Sequence, residues 1–261
     1  MLTPLAILLA VIGAAWGVVA DRIASRWPAH LHEHVHDHAA DDPEHAHEHE
    51  PGDEPVDGKA WAHEHPHAHR ADLEHGLVVL RRFGWRTVVA AGFGAVALGA
   101  LSLRYPDPPG VQVVGGYLAV LVLLLAIDLD QRLLPDVLTL PLAGIVAVIT
   151  VLGWNPMVAP GSLPVAAIVA VAVPGLLYLF SIPFARGAFG MGDVKLLVSV
   201  GLLVGPGRLL YAVVIGVFIA GIVILALLAT KRITLKTFIP YGPFLIIGAA
   251  WSMLVLGPPP A

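Results

Sequence analysis

Apolar residues fall into eight runs separated by short polar breaks, at 2–20, 87–103, 111–127, 137–153, 163–184, 194–204, 209–230 and 238–256. Seven of them approach the length of about 20 apolar residues that a helix needs to cross a bilayer. The sixth, at 194–204, is only 11 residues. That is too short for a hydrocarbon core of about 30 Å, so it begins or ends inside the protein. The pattern predicts an all-α fold: a polytopic membrane helix bundle of about eight transmembrane helices.

One polar stretch breaks the sequence of runs. Residues 30–75 consist largely of His, Glu, Asp, Ala and Pro, with no apolar periodicity. Such a segment buries too little to offset the entropy of ordering, and it reads as a disordered loop. The chain therefore divides into a first helix and boundary (1–28), a His-rich loop (29–76) and a membrane domain (77–261).

Composition agrees. The chain is 57% hydrophobic and 13% charged, with mean hydropathy +0.80, against about 25% charged residues in a soluble domain. The absence of cysteine excludes disulfides, thiolate metal sites and thiol nucleophiles.

Charge placement gives an orientation. No basic residue precedes the first run, whereas Arg22 and Arg26 follow it. This order is the reverse of a cleaved signal peptide and predicts an uncleaved helix with its N-terminus outside. Alternating eight spans then puts 13 of the 15 Lys and Arg residues inside, leaving Arg104 and Arg208 outside. Both termini lie outside the plasma (inner) membrane in this topology.

The acidic residues carry the candidate chemistry. Thirteen of the 19 lie in 30–75, and only Asp107, Asp128, Asp130, Asp136 and Asp193 follow. Asp107, in the turn-rich YPDPPG, reads as a polar loop residue. Asp136 sits where a helix N-cap belongs. Asp128 and Asp130 are two apart and point in roughly opposite directions on a helix. One of them faces the interior, and the other is nearer to water. Asp128 also reads plainly as an interfacial boundary residue.

In GMGDVKL, at 190–196, Gly190 and Gly192 let the backbone approach something closely or adopt positive φ. Taken alone, the motif is a glycine turn with Asp193 as a cap. The topology puts Asp193 and Asp128 at the same membrane face. Acids at membrane depth are costly and mark functional candidates. Two carboxylates within hydrogen-bond range share a proton. One can take a proton from water while the other donates to a scissile carbonyl. A cation at Lys195 would favour an ionised Asp193, and a snorkelling interfacial lysine accounts for it equally well.

Three stretches carry a family resemblance. IDLDQRLLPD (127–136), GMGDVKL (190–196) and IPYGPFLIIGA (239–249) resemble the motifs of the type IV prepilin peptidases, within the Gly-x-Gly-Asp intramembrane aspartyl proteases. The resemblance implies catalytic aspartates at Asp128 and Asp193. It implies substrate-binding or supporting roles for Gly190, Gly192, Lys195, Pro240, Gly242 and Pro243. It further implies cleavage of basic leader peptides from prepilins or pseudopilins at the cytoplasmic face. Other expected partners are the bilayer and, indirectly, the pilus or type II secretion machinery, with no nucleic acid.

The front of the chain departs from the family pattern. GVVADRIASRWP (17–28) keeps Gly17, Arg26 and Pro28 but has Asp21 in place of an Asn. The family's paired CxxC zinc module has no counterpart. The peptidase reaction requires no cofactor, and S-adenosylmethionine is expected only if the family's N-methyltransferase activity is retained. In place of the zinc module, His32, His34, His36, His45, His47, His49, His63, His65 and His67 alternate with carboxylates, a composition able to bind a divalent metal loosely. A solvated linker with no required metal fits as well. An alternative function is a metal-ion transporter with a His-rich sensor loop, although no His follows His75 to line a path. A catalytically inactive scaffold is the third reading.

Overall fold

A computed structural model describes residues 3–27, 84–184, 189–232 and 240–256. Its described residues contain eight α-helices: α1 Pro4–Ala24, α2 Trp85–Arg104, α3 Pro108–Gln131, α4 Asp136–Val151, α5 Leu163–Phe184, α6 Met191–Val204, α7 Pro206–Ala229 and α8 Gly242–Val255. A short 3-10 turn, Pro160–Ser162, precedes α5. Each helix falls on one expected apolar run. Five are long and apolar enough to cross a membrane, and α4 and α8 are shorter apolar helices. The protein is a multi-pass helical membrane protein.

Local chemistry sets the helix ends. Thr3 caps α1 by accepting the Ala6 N–H at 3.2 Å, with Pro4 at the first helical position. Asp107 caps α3 in the same way, accepting the Gly110 N–H at 2.8 Å. Its sequence reading as a plain loop residue is thereby corrected. The reading of Asp136 as an N-cap is also corrected: Pro135 holds the cap position, and Asp136 is the first helical residue. At the other end of α3, Arg132 takes a left-handed conformation (φ 55°) and returns its N–H to the Asp128 carbonyl at 2.8 Å. The helix therefore runs past the apolar stretch, and Asp128 and Asp130 both lie within it.

In lipid, helices gain little from hydrophobic association and are held by close packing of small side chains. Here α1 presents Ala6, Ala10, Gly13, Gly17, Ala20 and Ala24 at three- and four-residue intervals. Gly13 meets the backbone of Gly94, Gly17 meets that of Ala90, and a Cβ on Gly99 would come within 2.9 Å of the Ala10 Cβ. The α7–α8 contact works alike: a Cβ on Gly216 would stand 2.9 Å from the Phe244 carbonyl oxygen.

The outer faces are apolar instead of charged. Ile7, Leu8 and Val11 of α1, Val96 of α2, Ile168 of α5 and Phe218 and Leu225 of α7 are exposed. Continuous apolar exposure of this kind suits a lipid surround. The short α6 lies inside the bundle, packed against α4, α5, α7 and α8. Its Leu196, Leu197 and all residues from Ser199 to Val204 are buried. This explains how 11 apolar residues suffice there. A buried hydrogen bond of 2.7 Å between Tyr117 and Ser199 joins α3 to α6.

Candidate active site

The last turn of α3 buries Asp128 to 3% exposure, inside a cluster that includes Ile127. Its Oδ2 is buried with no hydrogen-bond partner among the described residues. An unmet buried carboxyl oxygen costs about 1–3 kcal/mol, and such a cost calls for an explanation. The oxygen faces the first turn of α8. A Cβ added to Gly242 would lie 2.9 Å from the Asp128 Cγ and 3.2 Å from its Oδ1. The GPF segment of the third motif thus sits directly against the acid of the first.

Asp193 is the third residue of α6 and is 8% exposed. Its carboxylate reaches back to accept the Gly190 N–H at 3.0 Å. That bond satisfies a free donor at the helix start and fixes the side chain. The loop that leaves α3 just after Asp128 packs through Leu134 on Gly192, next to Asp193, so the two acids lie at the same end of the bundle although they are 65 positions apart in sequence.

The glycines beside Asp193 do not serve positive φ, since Gly190 is extended at φ −85°. Gly192 serves a close approach. A Cβ there would stand 3.0 Å from the Leu134 Cβ and 3.2 Å from the Leu134 carbonyl oxygen. The space is filled by the chain's own α3–α4 loop. Around Gly190 a Cβ would meet only ordinary contact, 3.8 Å from Asp193 Oδ2.

Lys195 turns away from Asp193, as an i, i+2 pair on a helix must. Its ammonium pairs instead with Asp136 of α4, Nζ to Oδ2 at 2.6 Å. The sequence expectation of a cation set beside Asp193 is corrected accordingly. Pro240 and Pro243 flank the contact to Asp128: Pro240 is half-buried just before α8, and Pro243 occupies its second position.

Around these residues is a polar network that the sequence did not reveal. Asp130 pairs with Arg86 of α2, which also donates to the Leu129 carbonyl at 3.3 Å. Gln131 donates to the carbonyls of Ala24 and Trp27 at the end of α1, at 3.2 and 2.9 Å. Asp21, 3% exposed, accepts a 2.6 Å hydrogen bond from the Thr87 hydroxyl. These bonds tie the starts and ends of α1, α2 and α3 together at the Asp128 end. The i, i+2 spacing of Asp128 and Asp130 was the one available signal that the two acids would split between different partners.

The His-rich segment, with His32, His34, His36, His45, His47, His49, His63, His65 and His67, lies outside the described residues. Among the described residues no group of three or more His, Cys, Asp or Glu could hold a metal ion.

Residues 116–225 match a family model described as the type IV leader peptidase family. The chain is 36% identical over 172 residues to a prepilin leader peptidase/N-methyltransferase of Burkholderia pseudomallei, covering 64% of this chain and 53% of that protein. It is 34% identical over 144 residues to one from Aeromonas salmonicida, covering 53% of this chain and 47% of that protein. A third relative, from Dickeya chrysanthemi, is 30% identical over 184 residues, covering 60% of this chain and 62% of that protein. The chain thus spans about half the length of the first two relatives. No solved structure gives a significant match. The matched segment contains both the α3 aspartate and the Gly-x-Gly-Asp turn, so over residues 116–225 the chain is similar to the type IV leader peptidase family.

Proposed function

We propose that this protein is an intramembrane aspartic endopeptidase that removes the leader peptides of prepilin-like proteins, with Asp128 and Asp193 as its catalytic pair. The observation that carries the proposal is the convergence of three distant stretches: Gly242 packs on Asp128, and Leu134, six residues after Asp128, packs on Gly192 beside Asp193. Two neighbouring carboxyls can divide an acid and a base role. One removes a proton from water, and the water oxygen adds to the scissile carbonyl. The other carboxyl protonates the carbonyl oxygen; as the C–N bond breaks, the first carboxyl returns its proton to the leaving amine and the second recovers one from a hydroxyl of the tetrahedral intermediate. Asp193, held by Gly190, presents a fixed carboxylate, and Asp128 keeps an uncommitted Oδ2.

In this reading the substrates are prepilins or pseudopilins, whose mature forms the pilus or type II secretion machinery assembles. The excess of Lys and Arg predicted at one face supports an inner-membrane orientation with cytoplasmic cleavage and both termini outside. Methyl transfer from S-adenosylmethionine is not included. Asp21, at the family's Asn position, is buried and committed to Thr87, so its carboxylate is not presented to such a co-substrate. No observation favours the metal-transporter alternative.

The test is co-expression with a prepilin and mass measurement of the mature N-terminus. Cleavage by the wild type, lost in membrane-inserted Asp128→Asn and Asp193→Asn variants, is the expected result. Full processing by either variant would sink the assignment. The same mass reports any added methyl group.

A further inference from the structure

The α3–α4 loop and the first residue of α4 touch the start of α6 at two points. Leu134 rests on Gly192, and Asp136 binds Lys195. Residues 192 and 195 are three apart and share one face of the helix. Asp193 lies off that face and is turned toward the interior, where it is 8% exposed. At its other end the loop leaves α3 through Arg132, four residues after Asp128, in a left-handed turn fixed by the Arg132 N–H to Asp128 carbonyl bond. The loop is thus a short, bonded strut from the carrier of Asp128 to the carrier of Asp193.

We infer that the Lys195–Asp136 ion pair, with the Gly192–Leu134 contact, is a clamp that sets the separation of Asp128 and Asp193. The inference rests on the peptidase reading above and adds positioning roles to it. Lys195 and Asp136 act through the helix ends that they join, not on the substrate.

Magnitudes favour positioning over stability. The pair is partly exposed, at 27% and 55% of the two side chains, and exposed ion pairs contribute little to stability. Its loss leaves the bundle folded. A displacement of about 1 Å between reacting groups, by contrast, costs on the order of a hundredfold in rate. Gly192 leaves the clamp little slack, because a Cβ there would stand 3.0 Å from the Leu134 Cβ and 3.2 Å from its carbonyl oxygen.

The test exploits the absence of cysteine. In an Asp128→Cys/Asp193→Cys variant, the rate of cross-linking by a short bifunctional thiol reagent reports separation without any need for activity. In the otherwise native chain, kcat and KM on a prepilin peptide report function. Lys195→Glu and Asp136→Lys alone are each expected to lower kcat by about tenfold or more, with KM little changed, and to change the cross-linking rate of the double-cysteine variant. The swapped pair Lys195→Glu/Asp136→Lys restores both readouts, and Lys195→Arg retains them. Gly192→Ala, which leaves the charges alone, shifts both readouts in the same direction as the single charge reversals. Single reversals with native kcat and native cross-linking overturn the clamp. So does a swap that restores neither. If the wild type cleaves no prepilin while cross-linking follows the expected pattern, the peptidase reading fails and the clamp stands.

Discussion

Gly242 opens α8 directly against the Asp128 carboxyl, leaving room for no larger residue: a Cβ would stand 2.9 Å from Cγ. The glycine of the third motif is therefore a spatial requirement of the acid in the first. Gly242→Ala must displace either the carboxyl or the helix start. Overpacking of this kind costs about 1–3 kcal/mol. The expected outcome is a membrane-inserted protein whose leader-peptide cleavage falls by about tenfold or more. Gly221, with open space around it, is the control, and Gly221→Ala should cleave at the native rate. Native cleavage by Gly242→Ala would show that the Asp128 carboxyl tolerates displacement.

The buried pair of Asp21 and Thr87 predicts an asymmetry. Thr87→Val strands a buried carboxylate without its hydroxyl donor, and a lost partner of this kind costs about 1–3 kcal/mol. Asp21→Asn keeps an acceptor for the Thr87 hydroxyl and should cost much less. Thermal denaturation in detergent distinguishes them: a clearly lower Tm is expected for Thr87→Val and a small change for Asp21→Asn. Equal melting points for all three proteins would remove the pair from the account of the fold.

The α1–α2 seam predicts steric intolerance. Gly13 and Gly94 meet backbone to backbone, so Gly94→Leu has nowhere to place its side chain and must separate the helices. Destabilisation of about 3 kcal/mol or more is expected, read as a reduced Tm and as new protease susceptibility. Gly92→Leu on the same helix meets open space and should be close to neutral. A Gly94→Leu protein as stable as Gly92→Leu would mean that the seam opens at little cost.

The Arg86–Asp130 pair fixes the end of α3 to α2. Arg86→Gln removes the cation and is expected to lower both Tm and kcat, because the last turn that carries Asp128 loses one of its lateral anchors. Asp130→Asn retains an acceptor for the guanidinium and should have the smaller effect. The ratio of the two kcat values, measured at equal membrane content, checks the order.

The eight apolar runs and the membrane class were legible because transfer of side chains into lipid is nearly additive along the chain and needs no knowledge of neighbours. The three motif stretches were equally visible as local strings, and the opposed directions of Asp128 and Asp130 followed from helix geometry alone. Partners were not legible. Asp107 and Asp136 exchanged their expected capping roles because a one-residue shift in a helix start decides which carboxylate reaches a free N–H. Lys195 lies two residues from Asp193, yet its position on the helix hands it to Asp136, 59 residues away. Gly192 similarly makes room for Leu134, and Gly242 for Asp128. Each of these pairings depends on the rotation of one helix about its axis against another. That rotation is set by the packing of whole faces, such as the small-residue seams and the buried α6, and no local string contains it. The sequence by itself determined which residues could carry the chemistry, and the tertiary structure decided which of them meet.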